Sequence, residues 1–284
     1  MGPAHAGPCF VKEAYQMYKI IDIHTHTYPE AIADKAVVSL GNFYEFNVEG
    51  KGTYADLVEN GRDFGVCGYL LFSVATNGHQ VEKVNNSIAA LAAASREAGY
   101  ETVGFAGIHQ DFPDFAAEID RAEALGLRGV KIHPDIQRLD LDSPRMYELC
   151  EIIEGRMPLY LHMGDCRPQF RYSEPKKLAR LLDRFPKLEV VAAHLGGYMA
   201  WEEAVCELAG RPNVWYDTSS AVWAMTPDYA ARLIHAYGAD RVMFGTDYPV
   251  KNTAGEFAQF MKIPLTEEER CDILYNNAKR FLKL

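Results

Sequence analysis

The sequence has no long apolar run, and only six of its 284 residues are cysteines. A membrane-spanning helix needs about 20 consecutive, mostly apolar residues, and no stretch approaches that length. The cysteines are scattered without a CxxC pair, which argues against common zinc-finger and thioredoxin-like sites. We therefore expect no membrane association, reduced thiols and a cytoplasmic location.

The chain is also short of positive charge, with 29 Lys and Arg against 39 Asp and Glu and a net charge of −10. This balance argues against binding nucleic acid or an anionic membrane through charge. We expect a small-molecule substrate as the partner, and a homo-oligomer stays open. The length suits one (β/α)₈ barrel, which typically takes about 250 residues.

The N-terminal segment MGPAHAGPCFVKEAYQ is rich in Gly, Pro and Ala. It has no basic stretch followed by an apolar run, so it is not typical of a signal peptide. We predict a poorly structured extension over residues 1–16 and a barrel domain over residues 17–284.

Short β-rich runs alternate with segments of helical periodicity along the rest of the chain. Eight candidate strands cover residues 18–24, 66–74, 102–108, 128–133, 158–162, 189–194, 214–218 and 241–247, and the clearest helical segments cover 85–98, 112–125, 143–154 and 173–185. The last two begin with Ser and an early Pro, which is typical of a helix start. The alternation predicts an α/β fold, specifically a (β/α)₈ TIM barrel. An open doubly wound sheet is the alternative, but no Gly-rich phosphate loop follows the first strand.

Several of these apolar strands end in His or Asp. The residues concerned are His24, His26, His133, His162, His194 and Asp247. In a (β/α)₈ barrel the carboxyl ends of the strands converge on one face, where active sites lie. The pattern therefore predicts a functional site on that face.

The segment DIHTH places Asp22, His24 and His26 on one side of the first strand, because side chains alternate along a strand. Two imidazoles separated by one residue can bind one ion, and imidazole suits zinc. An isolated HxH is weak support, and a buried structural histidine is the alternative reading of His162 or His194. Equivalent positions on consecutive strands favour a functional role for both.

Asp247 follows the apolar stretch of the last strand directly, in FGTDYP. A buried, unpaired carboxylate is costly, so a metal ion or a protonated histidine is its natural partner.

Together these motifs resemble those of the amidohydrolase superfamily. The segments GVKIHP, AHLGG and FGTDYP are similar to the amidohydrolase-related branch, which includes aminocarboxymuconate-semialdehyde decarboxylase, aromatic-acid decarboxylases and several hydrolases. The resemblance covers residues 17–284.

The resemblance implies that His24, His26, His162 and Asp247 bind one divalent ion, which we expect to be zinc. It places His194 beside that ion as a general base or an electrostatic partner. Asp247 would keep one oxygen for moving a proton, so both His194 and Asp247 are expected to be catalytic.

Lys131 and His133 share one face of the fourth strand. In binuclear amidohydrolases a carboxylated lysine on this strand bridges two metals; the alternative is a cation that balances Asp22 or Asp247. The branch is generally mononuclear, so we expect one ion. His133 is expected to contact substrate or to hydrogen-bond the loop that Pro134 opens.

Arg167 and Arg171 lie in one loop after the fifth strand, and Tyr28 lies just beyond the first. Guanidinium groups can bind a carboxylate through two hydrogen bonds, so the arginines are candidates for substrate binding. Solvated loop charges are the alternative. Tyr28 is a candidate for the wall of a pocket.

We expect a hydrolase that activates water to attack a carbonyl or lactone carbon of a small organic acid or amide. A non-oxidative decarboxylase of an aromatic or unsaturated acid is the alternative, because both reactions use the same ligands. A catalytically silent barrel that serves as a binding module is a remote third.

Overall fold

The computed structural model describes residues 18–165 and 167–284. The extension predicted over residues 1–16 therefore lies outside the described residues. The described strands are short and mostly buried. They are β1 (Ile20–His26), β2 (Val66–Phe72), β3 (Glu101–Gly104), β4 (Ala106–Gly107), β5 (Val130–Ile132), β6 (Leu159–Leu161), β7 (Val190–Ala192), β8 (Val214–Asp217) and β9 (Val242–Met243).

The strands form a closed parallel barrel. Strands β1 to β3 pair in order, and so do β4 to β9. Strands β3 and β4 are two halves of one barrel strand, divided at Phe105, whose N–H donates to the Leu71 carbonyl at 2.9 Å. The His26 N–H donates to the Tyr248 carbonyl at 2.7 Å, which brings the end of the last strand back to β1. The predicted (β/α)₈ barrel is confirmed.

Helices cover the outside of the barrel and its carboxyl-end loops. They are α1 (Glu30–Tyr44), α2 (Tyr54–Gly61), α3 (Val81–Glu97), α4 (Phe115–Ala124), α5 (Pro134–Gln137), α6 (Pro144–Ile153), α7 (Pro175–Arg184), α8 (Trp201–Leu208), α9 (Pro227–Tyr237), α10 (Thr253–Phe260), α11 (Glu267–Cys271) and α12 (Asn277–Leu282), with a π-turn over Asp272–Asn276 and 3₁₀ turns over Arg62–Phe64, Gly78–Gln80 and Ala239–Arg241.

The two helices predicted to begin with Ser differ at their first turns. Ser143 caps α6 as expected, because its hydroxyl accepts from the Met146 N–H at 3.2 Å. Helix α7 begins at Pro175, however, and the buried Ser173 does not cap it. The Ser173 hydroxyl donates to the Asp135 carboxylate instead, which ties this loop to the helix that follows β5.

The barrel interior is apolar below the carboxyl ends of its strands. Parallel strands buried on both faces are typically apolar along their whole length, so polar side chains collect at the strand ends. Phe281 and Leu282 of α12 pack into the interior cluster. The Arg128 guanidinium, two residues before β5, donates to the Leu282 carbonyl at 3.2 Å. Helix α12 therefore closes the amino-terminal end and leaves the opposite end for a site.

Nothing in the described ranges is both long and apolar enough to be a membrane-spanning helix. Cys67, Cys150, Cys206 and Cys271 carry free thiols.

Candidate active site

Three of the four predicted metal ligands lie close together at the carboxyl end of the barrel. The Nε2 atoms of His24 and His26 are 3.3 Å apart, as expected for two side chains on one face of β1. Asp247 Oδ1 lies 3.1 Å from His24 Nε2 and 3.7 Å from His26 Nε2. Burial lowers the pKa of both imidazoles, so the two rings are neutral and each keeps a nitrogen lone pair.

Asp217 fixes which nitrogen of His24 carries the proton. Its Oδ2 lies 3.0 Å from His24 Nδ1, and an ionised carboxylate can only accept a hydrogen bond. The proton of His24 is therefore on Nδ1, and the Nε2 lone pair points toward His26 and Asp247. A carboxylate behind a metal-binding imidazole orients the ring and makes it a better ligand.

His162, the fourth predicted ligand, lies beside His194, and each of the two rings has a backbone carbonyl as a partner. His194 Nδ1 lies 2.9 Å from the Ser219 carbonyl, and His162 Nε2 lies 3.1 Å from the Gly164 carbonyl. Carbonyl oxygens only accept, so these nitrogens carry protons. The remaining nitrogens, His194 Nε2 and His162 Nδ1, face each other at 2.9 Å.

The donor set fits a divalent ion. Ring nitrogens and one carboxylate oxygen converge on the carboxyl ends of the strands, and zinc and other transition metals prefer these ligands. Ligand atoms of His24, His194 and Asp247 lie within 4.8 Å of one another, as do those of His133, Asp135 and His162. The division between ligands and catalytic groups stays a prediction, and His194 is close enough to belong to either.

Lys131 lies inside the barrel beside these ligands. It is fully buried, its Nζ is 3.3 Å from His24 Nε2, and it stands over the rings of Phe72 and Tyr160 at 4.6 and 4.4 Å. Burial lowers its pKa to about 7 against the opposing effect of the nearby carboxylates. Lys131 thus loses its proton more easily than an exposed lysine, and it lies beside the proposed ligands without lining the cavity.

Asp217 is the principal residue that we did not predict. It accepts hydrogen bonds from His24, from the Tyr160 hydroxyl, from the His194 N–H at 3.0 Å and from Ser219. Burial alone would raise the pKa of Asp217, but the electrostatic interaction and hydrogen bond with His24 and the hydrogen bond from Ser219 lower it overall. It ends β8 in VWYDT, so the rule that identified Asp247 could have found it.

The second oxygen of Asp247 is held by Ser220. The Ser220 hydroxyl donates to Asp247 Oδ2 at 2.7 Å, which leaves Oδ1 directed at His24. The Ser220 N–H donates to Glu256 Oε1 at 3.2 Å. Glu256 is buried, and its Oε2 has no hydrogen-bond partner among the described residues. Burial, then the charge of Asp247, raises the pKa of Glu256 well above its usual value.

A cavity of about 690 Å³ opens above the strand ends. His26, His133, His162 and Asp247 form its base, and Tyr28 lies in its wall as predicted. Helices α1 and α3 supply much of the remaining wall, which is largely apolar. His194 and Lys131 are not among the lining residues. Of the two predicted proton acceptors, Asp247 is therefore the one that a bound molecule can reach.

His133 joins the cavity to the metal site. Its ring stacks on His162 with centroids 3.8 Å apart, and its Nε2 lies 2.6 Å from the Tyr44 hydroxyl. Its Nδ1 accepts from the Ile136 N–H at 3.3 Å, so it also holds the first turn of α5. Both of its expected roles, substrate contact and loop contact, are therefore geometrically possible.

The two loop arginines have carboxylate partners in the structure. Arg167 donates to both oxygens of Asp165, at 2.9 and 2.7 Å, and lies over the ring of Phe43. Arg171 is largely exposed and pairs with Glu174. Neither is among the residues that line the cavity. That one of them binds a substrate carboxylate stays a prediction.

The family follows from a comparison over almost the whole barrel. The sequence profile of the Amidohydrolase family matches residues 21–284. The chain belongs to the amidohydrolase family. Members of this family are metal-dependent hydrolases or decarboxylases.

Curated relatives of this amidohydrolase include both reaction types. The L-fucono-1,5-lactonase of Burkholderia ambifaria is 32% identical over 117 residues, which are 34% of this chain and 40% of the relative. Decarboxylase orsB of Emericella nidulans is 25% identical over 127 residues, which are 37% of this chain and 38% of the relative. The chain thus spans about two fifths of the length of each.

Solved structures share the fold over nearly their full length. A TIM-barrel protein from Bordetella bronchiseptica has a TM-score of 0.76 and 21% identity, covering 93% of this chain and 98% of that one. A dihydroxybenzoic acid decarboxylase from a Polaromonas species, with bound manganese and 2-nitroresorcinol, has a TM-score of 0.65 and 19% identity over 94% and 98% of the two chains.

Proposed function

We propose that this amidohydrolase is a hydrolase that adds water to a carbonyl or lactone carbon of a small organic acid or amide. The observation behind the proposal is the convergence of neutral imidazole lone pairs and Asp247 Oδ1 at the base of the cavity. We propose His24, His26, His162 and Asp247 as the ligands of one divalent ion, with zinc as the metal. Manganese in the Polaromonas decarboxylase makes it the second metal to test.

The ion would supply Lewis-acid chemistry, polarising a carbonyl and lowering the pKa of a water molecule towards about 7. The chain's own residues would then manage the protons. Asp247 lies at the cavity and can take a proton on a carboxylate oxygen. The Ser220 hydroxyl on Oδ2 keeps Asp247 Oδ1 pointed at His24. His194 Nδ1 lies 2.9 Å from the Ser219 carbonyl and its Nε2 lies beside His162, where His194 would act as a general base or an electrostatic partner.

Apolar side chains make up much of the cavity wall. Ile32, Leu40, Phe43 and Val84 contribute apolar surface above the polar base. An apolar wall strengthens electrostatic interactions at the base, because it lowers the local dielectric constant. The walls thus suit a substrate with an apolar body and one reactive polar group.

Non-oxidative decarboxylation is the second candidate. The apolar cavity favours it, because moving a carboxylate out of water destabilises its charge and so promotes the loss of carbon dioxide. The similarity to decarboxylase orsB supports the same reaction.

One experiment separates the two reactions. The zinc- and manganese-loaded protein is tested against small lactones, esters and amides by proton release, and against aromatic and unsaturated acids by carbon dioxide release. Turnover in the first group alone supports hydrolysis, and the Asp247→Asn variant should abolish it. Carbon dioxide release without any turnover of lactone, ester or amide would replace hydrolysis with decarboxylation.

A further inference from the structure

Two lysines face the same cavity from opposite helices. Lys35 lies on the face of α1 that also carries Ile32, Leu40 and Phe43, and Lys83 lies in the first turn of α3 next to Val84. The α1 residues that line the cavity recur at three- and four-residue intervals, which places them on one side of the helix. Lys35 and Lys83 are exposed at the opening, as is Ile32, whereas Leu40, Phe43 and Val84 are partly buried.

Both ammonium groups lack an acidic partner within the described ranges. Among the described residues neither lysine forms an ion pair, and no acid stands three or four residues to either side of Lys35 or Lys83 in its helix. Helical ion pairs form at those spacings. Of the described residues that line the cavity, Asp247 is the only acidic one.

The opening is therefore positive in a chain whose net charge is −10. Unpaired cations around a low-dielectric cavity attract anions and raise their local concentration. Lys35 lies nine positions before Tyr44, whose hydroxyl contacts His133 at 2.6 Å. At 1.5 Å per residue this is about 13 Å along the helix axis. Lys35 thus lies at a different part of the cavity from the proposed metal ligands.

Building on the proposed function, we propose that Lys35 and Lys83 bind a second, carboxylate end of the substrate. The substrate is then an organic acid with three parts: a reactive group at the metal ligands, an apolar body against α1 and α3, and a carboxylate between the two lysines. We do not assign this carboxylate to Arg167 or Arg171, because their guanidinium groups pair with Asp165 and Glu174 and do not line the cavity.

The test measures binding and needs no turnover. The zinc-loaded full chain is titrated by calorimetry with a series of α,ω-dicarboxylic acids of increasing length, built on an aliphatic or phenyl body, and with the monomethyl ester of each. The wild type should bind at least one diacid roughly tenfold more tightly than its ester, since two partly exposed ion pairs contribute only modestly. That preference should shrink as salt is raised, because exposed charges are screened.

The variants assign the preference to residues. Lys35→Met and Lys83→Met should each reduce it, and the double variant should bind diacid and ester equally. Lys187→Met, which replaces an exposed lysine outside the cavity, is the matched control and should keep the preference. Absence of any preference in the wild type, or its loss in Arg167→Met or Arg171→Met but not in the lysine double variant, would overturn the proposal.

The outcome is separate from that of the proposed function. A lysine-dependent preference for diacids without hydrolysis of any lactone, ester or amide supports this inference and contradicts the hydrolase. Hydrolysis with equal affinity for diacid and ester supports the hydrolase and contradicts this inference.

Discussion

Replacing Asp217 by Asn should weaken metal binding without removing any ligand. Asp217 Oδ1 accepts from the His194 N–H and from Ser219, while Oδ2 accepts from His24 Nδ1 and the Tyr160 hydroxyl. An Asn side chain has only one accepting oxygen. If that oxygen takes the place of Oδ1, the amide NH₂ faces His24 Nδ1. The imidazole must then move its proton to Nε2, which removes the lone pair that would bind the ion.

The expected loss of metal affinity has two sources: one charge-assisted hydrogen bond to His24 is removed, and His24 changes its tautomer. A hydrogen bond to a charged group contributes about 1.5–3 kcal/mol, and removing the partner behind a metal-bound histidine typically costs about 10–100-fold in metal affinity. Ser219 limits the loss of metal affinity, because its hydroxyl lies 2.8 Å from His24 Nδ1 and can accept the hydrogen bond from Nδ1 in place of Asp217. We therefore expect about a tenfold loss in Asp217→Asn and a larger one in the double variant with Ser219→Ala.

The assay is competition for zinc with a chelating dye of known affinity, with circular dichroism to verify the fold. Tyr160→Phe is the matched control: it removes the other donor to Oδ2 and leaves His24 unchanged, so its zinc affinity should stay close to that of the wild type. A folded Asp217→Asn protein with the zinc affinity of the wild type would refute the reasoning.

Two further predictions concern the histidines and a buried acid. His24→Ala and His162→Ala should each lose both metal and activity, whereas His194→Ala should keep most of the metal and lose turnover; equal metal loss in all three, measured by elemental analysis, would make His194 a ligand. Glu256 is protonated in the folded chain at pH values where the unfolded chain is ionised, because burial raises its pKa. The free energy of unfolding should therefore fall as pH rises above about 4.5, by at most about 1.4 kcal/mol per pH unit. The Glu256→Gln variant lacks this pH-dependent contribution. In urea titrations from pH 5 to 8, its free energy of unfolding relative to the wild type should therefore rise with pH. Equal pH dependence in the two proteins would contradict a raised pKa of Glu256.

The barrel and the positions of the strand ends could be predicted from the sequence because they depend on local patterns. Apolar runs of strand length predicted the strands, and the barrel geometry brings their ends together wherever they lie in the chain. His24, His26 and Asp247 meet for that reason. Asp217 followed the same rule, and it was missed because a single Asp after VWY was not weighed as a strand end.

Helix α1 and the contact of Glu256 could not be predicted from these local patterns. Helix α1 buries only Ala33, since its apolar face lines the cavity instead of the core, so its periodicity does not stand out. Glu256 lies on α10 and acts through Ser220, 36 residues earlier in the chain. Contacts of this kind depend on how helices pack over the barrel, which no local pattern specifies. The ion-pair partners of Arg167 and Arg171 could not be predicted from the sequence either, because they depend on the conformation of the loop.

The metal content of the purified chain tests the central claim most directly. Elemental analysis after exhaustive dialysis, with protein concentration from amino-acid analysis, should give close to one divalent ion per chain, and His24→Ala prepared in parallel should give almost none. An active protein without metal would contradict the account. So would two ions per chain with a carboxylated Lys131, detected as an added carbon dioxide by mass spectrometry of the intact protein.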